Sequence, residues 1–554
     1  MTPRGTCCHE PGDHPQRQRT ALTSHAPTSE PAGFSLPQVR LAAGYLCSDL
    51  EPFSRIVLGM GLYGYQLQPI RAVAASVLAR EGREYLLVFP RQSGKNEAVA
   101  HLLVYLLNLF QLRGGQMVFG AIGDGLGRGL RRLEQRLDNA FNAGVWRRDS
   151  RPARRVLGKA AVAFLSTHPQ AYSRGETAHW LLVVDEMQDQ DAAHLEAVFE
   201  PMRAANNATA LYIGTVRFSH DALWQKKREL EGLEARDGHR RVFVVPPGVV
   251  MRENGAYARF LQAKIERLGE QHPIIRSEYF LQPIDSEGGL FPPRRLQLMR
   301  GRHSRRTDPE PDKVYVATLD VAGQDEATTD PVAQLARPGR DYTVATVFEL
   351  VPARPGAPGP TYLAVDVFVD HGSRHFENHP GRPALIQRLL AWLEHWQVAH
   401  VVADATGVGE GVADALAGAL GPGFGSARCP VTPFKFTTRS KAGLGSSFLS
   451  LIETGRFKYW MDDEDLPLSD GWWFWKQAEA CVYELPPGGT WERDLRWEVP
   501  GAARTSTPGG LVPTHDDRLV SGALVGVYDE LVAGGGLRVG RGGGRGGKAA
   551  DPLR

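Results

Sequence analysis

The sequence predicts an α/β chain of two sheet-centred domains in series, and three observations carry that expectation. Between about residues 50 and 285, short β-rich runs alternate with amphipathic stretches, the pattern of strands joined by crossover helices in a parallel sheet. Residues 292–312 break the pattern with Pro292-Pro293, six arginines between Arg294 and Arg306, and a closing Asp-Pro-Glu-Pro. Beyond the break, three strand-like runs in succession, a helix and a fourth strand open a second block.

Size and composition bound the answer. At roughly 100–200 residues per domain, a chain of 554 residues suggests about three domains, or two large ones with tails. Hydrophobic residues at 42% and charged residues at 23% support packed cores and exclude a wholly disordered or collagen-like chain. Lys plus Arg number 64 against 62 Asp plus Glu, so bulk charge announces no polyanionic partner and any nucleic-acid surface must be local. Five cysteines (Cys7, Cys8, Cys47, Cys429, Cys481) form no disulfide framework and fit a reducing compartment, the cytoplasm by default. The longest apolar run, Val99 to Phe110, is short of the roughly twenty residues of a membrane span and reads as a buried helix. The N-terminal segment lacks an apolar h-region, so neither export nor membrane contact is expected.

Taken in order, residues 1–35 are rich in Pro, Thr, Ser, Gln and His without a hydrophobic period, and are expected to be a disordered tail. Cys7-Cys8-His9 with His14 is followed by no second Cys pair at finger spacing. Residues 36–290 form the first domain, with strands expected at Tyr85–Phe89, Gln116–Ala121, Ala161–Leu165, Leu181–Val184 and Ala210–Ile213. Residues 291–312 read as a basic linker, able to touch DNA phosphates or an acidic partner. Residues 313–533 form the second domain. Val314–Leu319, Tyr342–Phe348 and Tyr362–Phe368 read as a meander, and a helix over Ala384–Trp396, a strand over His400–Ala403 and a helix over Val412–Leu420 follow. Residues 534–554 are a Gly-rich tail carrying Arg538, Arg541, Arg545, Lys548 and Arg554.

Chemistry first gathers after the strand Tyr85–Phe89, where Pro90-Arg91-Gln92-Ser93-Gly94-Lys95-Asn96 leads into the apolar helix. Strand, Gly-Lys loop and helix make the setting in which backbone N–H groups and a helix N-terminus cradle phosphates, with Lys95 reaching the β and γ oxygens. Two positions depart from the usual P-loop pattern: Phe89 stands for the first glycine, and Asn96 for the Ser or Thr that meets Mg²⁺. The complementary half is the apolar strand Leu181–Val184 ending in Asp185-Glu186. Asp185 would join the Mg²⁺ shell and Glu186 orient and activate the attacking water, which is what phosphoryl transfer needs.

On these residues the sequence resembles the large subunit of bacteriophage terminases, the DNA-packaging motors. Arg91, Gly94 and Lys95 match that family's Arg-x-x-Gly-Lys variant, and Asp185-Glu186 its second Walker strand. The resemblance implies an adenine-reading glutamine at Gln66, with Gln68 as rival. It also implies a role for Ser173-Arg174-Gly175, and a coupling motif at Ile213-Gly214-Thr215 whose Thr215 would sense the γ-phosphate.

A second constellation lies downstream. Asp320 follows the strand Val314–Leu319, Asp404 follows His400–Ala403, and His515-Asp516-Asp517 precedes the apolar run Leu519–Val527. Two strand-end carboxylates and one from a helix can converge on two Mg²⁺ or Mn²⁺ ions that activate water and stabilise a leaving 3′ oxygen. Which of Asp516 and Asp517 is the ligand stays open. The terminase resemblance covers roughly residues 50–530 and implies an RNase H-like nuclease here, with Leu319-Asp320-Val321-Ala322 and Asp341-Tyr342-Thr343 as its first hairpin and Asp404-Ala405-Thr406-Gly407 as its second site.

The expectation is therefore a P-loop NTPase domain with a parallel-rich sheet followed by an RNase H-like α/β nuclease domain. The resemblance implies ATP and Mg²⁺ (or Mn²⁺ at the nuclease) as cofactors, and ATP-driven movement of double-stranded DNA into a procapsid with cutting of concatemers. Its implied partners are a small terminase subunit, a portal protein and a homo-oligomeric ring, in the host cytoplasm and transiently on the procapsid but not in the mature virion. The rival reading is a helicase-like or repair ATPase whose RNase H-like domain is an inactive DNA clamp.

Overall fold

The structure is a computed structural model that describes residues 36–150, 153–171, 173, 175–219, 221–285, 287–322, 342–378, 381–421, 429–486 and 488–535. The first sheet contains β1 (Glu84–Val88), β2 (Gly115–Ala121), β3 (Arg147–Ser150), β4 (Ala153–Leu157), β5 (Ala160–Ser166), β6 (Leu181–Val184), β7 (Thr209–Gly214) and β8 (Val242–Val244), in the order β3-β4-β5-β2-β6-β7-β1-β8. From β5 to β8 all neighbours are parallel; β3 and β4 add an antiparallel edge.

The central strands are apolar throughout because both faces are covered. Leu87, Leu181, Val183, Leu211 and Ile213 enter one core, and Leu86, Val88, Leu182, Val184 and Tyr212 the other. The strand expectations hold to within one residue at each end. The β3–β4 edge was not anticipated, since Arg147–Ser150 and Ala153–Leu157 hold four arginines between them and lack a hydrophobic stripe. Because β6, β7 and β1 are parallel neighbours, the loops after them open on one edge of the sheet, where α/β folds place ligands.

A short strand, β9 (Glu287–Gly289), precedes the second sheet, which contains β10 (Tyr315–Asp320), β11 (Thr343–Val351), β12 (Thr361–Asp370), β13 (Val401–Asp404), β14 (Val431–Phe434) and β15 (Phe457–Lys458) in the order β14-β13-β10-β11-β12-β15. The meander β10-β11-β12 is antiparallel, as its short turns require, and β13 lies parallel to β10. The helices Leu385–His395 and Val408–Leu420 cover one face, and Thr438–Glu453, Asp470–Ala480 and Asp517–Ala523 the other.

Two findings describe the segment between the two large sheets. β9, on the first-domain side of the expected boundary, pairs with β16 (Val482–Glu484), which pairs in turn with β17 (Arg496–Glu498). Residues 291–312 are also not a free basic stripe. Pro293–Met299 is helical, and the arginines face carboxylates of the second domain: Arg294 and Arg295 hold Glu453 at 2.6 and 2.8 Å, and Arg300 pairs with Glu464. Arg305 reaches Asp366 at 2.9 Å and Asp470 at 3.0 Å, and Arg306 reaches Glu349. The acidic partner of this segment lies in the same chain, and the segment is a strap. No helix among the described residues is long and apolar enough to cross a membrane. Residues 1–35, the tail from 536, Arg174 and Asp341 lie outside the described residues.

Candidate functional site: a phosphate loop and two sets of carboxylates

The loop between β1 and the helix Lys95–Phe110 is held from behind. Tyr65 donates its hydroxyl to Ser93 O at 2.9 Å, Ser93 Oγ donates to Pro90 O at 2.6 Å, and Gln66 Nε2 donates to Gly94 O at 3.0 Å while its Oε1 accepts from Tyr63 N. Gly94 has φ +87°, and a Cβ there would lie 2.4 Å from Gln66 Nε2, so the position requires glycine on both counts. Buried Gln66 thus braces the loop with both ends of its amide, whereas Gln68 is exposed. Gln92 also takes a left-handed φ of +62°. Arg91 is fixed to Glu278 by a 2.6 Å ion pair and a 2.8 Å backbone bond.

Facing the loop, β6 delivers Asp185 fully buried and Glu186 with φ +49°, an uncommon backbone state for a residue with a side chain, and one that clusters at functional sites. Lys95 Nζ stands 3.1 Å from Glu186 Oε2 and 3.7 Å from Asp185 Oδ1. Burial works to raise the Glu186 carboxyl, but Lys95, Gln188 and Arg128 together hold it down at about 2. Burial dominates at Asp185 and raises its carboxyl, with Lys95 opposing. Burial would lower the Lys95 ammonium, and the two carboxylates raise it instead. The proton therefore stays on lysine, and the site is neutralised from within.

Two glutamines extend this pair. Gln188 donates to Glu186 Oε2 at 2.9 Å and accepts from Thr215 N at 3.1 Å, while Thr215 Oγ1 donates to Phe89 O at 3.2 Å. The ends of β1, β6 and β7 are thereby tied in one chain of hydrogen bonds. Gln190 Nε2 donates to Asp185 O at 2.6 Å. Asn96 Nδ2 donates to Asp185 Oδ2 at 3.2 Å, and Arg128 on the helix Asp124–Leu137 lies 4.0 Å from Glu186 Oε1. A cleft lined by Arg91, Arg128, Glu186, Thr215, Glu278 and Trp491 opens here, Trp491 coming from the second domain. Ser173 is buried and donates to Ser166 O at 2.6 Å, beside β5 rather than at the acid pair.

The second set of carboxylates meets at one end of the second sheet. Leu319 pairs with Ala403, so Asp320 and Asp404 stand level at the ends of parallel neighbours. The helix Asp517–Ala523 packs on β10 and β11 through Thr318 Oγ1 to Ser521 O at 2.7 Å and Thr346 Oγ1 to Ser521 Oγ at 2.9 Å. Its start lies at the same end of the sheet, since Arg518 sits 5.6 Å from the ring of Tyr342, just before β11. Asp517 is buried; Asp516 is half-buried with Lys441 at 3.8 Å. Burial raises the Asp404 carboxyl against hydrogen bonds from Thr406. Tyr342 also lies against His371, ring centroids 4.7 Å apart and planes tilted by 35°, and meets His515 edge-on at 6.1 Å. Among the described residues no three His, Cys, Asp or Glu side chains gather closely enough to hold a metal ion between them.

With both geometries in view, known proteins provide an outside measure. No protein-family model matches the sequence, and no curated protein matches it. Among solved structures, the chain is similar to phage large terminases. The large terminase of bacteriophage HK97 is 14% identical over 87% of this chain and 99% of that one, with a TM-score of 0.36. The large terminase of a thermophilic bacteriophage is 11% identical over 85% and 99%, with a TM-score of 0.40. The ATPase domain of the Thermus phage P74-26 large terminase is 20% identical over 41% and 96%, with a TM-score of 0.31.

Sequence reasoning did not find Gln188, Arg128, Glu278 or Trp491. Gln188 carried a usable signal, two residues after the acid pair with Gln190 beside it; the other three arrive by tertiary packing alone.

Proposed function

We propose that this chain is the large subunit of a viral DNA-packaging terminase, which drives double-stranded DNA into a procapsid by ATP hydrolysis and cuts concatemeric DNA at a metal-dependent site. The observation that carries the reading is the Lys95–Glu186–Asp185 group, set between a Gly-Lys loop and a buried strand end, in the same chain as strand-end carboxylates on a second sheet.

Lys95 is the phosphate-binding cation. Arriving β and γ phosphates compete with Glu186 for its ammonium, and the released carboxylate, still held by Gln188, is free to take a hydrogen bond from water and orient it for attack. Gln188 and Thr215 link that event to the end of β7, so loss of the γ-phosphate would be felt along the sheet. Arg91 is held away on Glu278, whereas Arg128 already faces Glu186. A bound Mg²⁺ supplies charge for the phosphate oxygens, and Asp185 is the residue to hold it. At the second sheet the all-oxygen donors suit Mg²⁺ or Mn²⁺. Asp320, Asp404 and Asp517, with Asp516 beside them, would have to close on the ions from the wider spacing they have here, and the ions would supply an activated water and a stabilised leaving oxygen. The small subunit, a portal ring, sister subunits and a place in the host cytoplasm belong to the same proposal.

Glu186→Gln tests the reading. It keeps shape and removes charge, so ATP should still bind while DNA-stimulated hydrolysis falls by about a hundredfold or more. Hydrolysis near the wild-type rate would overturn the assignment. The rival reading, an ATPase with an inactive clamp domain, draws on the absence of a ready-made three-ligand group among the described residues. Mn²⁺-dependent nicking of plasmid by the full chain separates the two, because a clamp does not cut.

A further inference from the structure

Asn96 follows the phosphate-loop lysine and starts the helix together with it. In the usual loop that position carries a hydroxyl that meets Mg²⁺. Here the side chain is an amide whose two ends behave differently. Nδ2 donates to Asp185 Oδ2 at 3.2 Å, while Oδ1 is buried and accepts no hydrogen bond. Turning the amide over does not help, because oxygen would then face the fully buried carboxylate of Asp185. The orientation is fixed by its neighbour, and a buried carbonyl oxygen is left unused beside an acid that the cation of a nucleotide would approach. An unused buried acceptor costs stability, and that cost is relieved when a donor or a cation fills the place.

We infer that Asn96 gives its side-chain amide oxygen to the divalent cation that enters with the nucleotide, in place of the hydroxyl. This rests on the ATP-site reading above. A carbonyl oxygen is a hard, neutral donor of the kind Mg²⁺, Mn²⁺ and Ca²⁺ accept. Through its other end the same amide keeps Asp185 in place, so one side chain serves the cation as ligand and Asp185 as anchor. The oxygen sits one bond further from the backbone than a hydroxyl oxygen, so serine or threonine is not equivalent here.

The experiment uses the full chain, ADP and Mn²⁺. The affinity for ADP is measured by calorimetry in EDTA and again with Mn²⁺, and the ratio of the two is the metal-dependent gain. In Asn96→Leu the gain, taken as the ratio within that variant, should fall by about tenfold or more, at least what the loss of an outer-shell partner costs a metal site. Asn96→Asp, which keeps an oxygen at the same reach and adds charge, should keep or raise the gain, and it carries the test if the leucine variant does not fold. An undiminished gain in Asn96→Leu, or a lost gain in Asn96→Asp with ADP still bound, overturns the inference and leaves the ATP site standing. Failure of the wild-type chain to bind ADP in either condition removes the ATP-site reading itself, and the inference with it.

Discussion

At the end of β6 and at the ends of β10 and β13, two sheets present carboxylates on the same plan, yet the two regions handle the charge in opposite ways. Beside β6 a buried lysine stands within 3.1 Å of Glu186 and 3.7 Å of Asp185, and the group is complete without any ligand. Beside β10 and β13, Asp404 takes hydrogen bonds from Thr406, and Lys441 stands 3.8 Å from half-buried Asp516. On the proposed reading the first region is opened by its ligand, phosphate drawing the lysine away from Glu186. On the proposed reading, the first site is tested by adding nucleotide and the second by adding metal.

The sharpest way to break this contrast is Lys95→Ala. It should abolish ATP hydrolysis and, by leaving two buried carboxylates without their cation, cost the fold about 3 kcal/mol. Metal-dependent nicking should survive. Urea melts beside ATPase and nicking assays measure all three, and full ATPase activity would erase the distinction between the regions. Asp320→Asn is the mirror image. Nicking in Mn²⁺ should fall by about a hundredfold or more, ATPase activity should not change, and the metal-free melting temperature should hold or rise, because an acidic group has lost a charge. A drop in both activities would mean that the domains do not act as separate sites.

A smaller effect is read in pH. Burial lowers the His272 imidazole to about 4; Arg295 and Lys264 also lower it, while Glu453 and the bond to Ser446 O oppose. The unfolded chain binds a proton at about 6.5, above the folded value, so stability is full above pH 6.5 and is lost as pH falls toward 4. The loss is about 3 kcal/mol at most. His272→Gln should flatten that part of the pH profile in urea melts, and an unchanged profile would show that the joint between the domains does not titrate. The smallest effect concerns the strap. Arg294 is half-exposed and shares Glu453 with the better-buried Arg295, so Arg294→Ser should cost less than about 1 kcal/mol. The salt dependence of DNA binding should not move, because this arginine already has an anion. A flatter salt slope would return the strap to the DNA surface.

The regions also differ in how much of them could be read in the sequence. The phosphate loop was legible because its parts are local: a strand, seven residues and a helix in an unbroken run. Asp185-Glu186 was legible because four apolar residues before it mark a buried strand. Asp320 and Asp404 were legible as strand ends, and Tyr342 and Asp516-Asp517 were named with them; His371 was not, since it meets Tyr342 from a distant segment. The strap was misread for the same reason: its arginines look unpaired in sequence because their carboxylates, Glu349, Asp366, Glu453, Glu464 and Asp470, lie about 40 to 165 positions away. The strand at the joint was missed because three residues, Glu287–Gly289, are too few to declare a strand without the partner β16.

Glu186 holds a backbone angle that glycine would hold at no cost. Exchanging it for glycine relieves strain of about 1 kcal/mol but takes from buried Lys95 the nearer of its two carboxylates, a larger loss, so Glu186→Gly should melt lower and hydrolyse nothing. A library screened only for heat resistance would therefore keep an acid at this position in spite of its backbone angle, since the lysine opposite sets the choice and the angle does not.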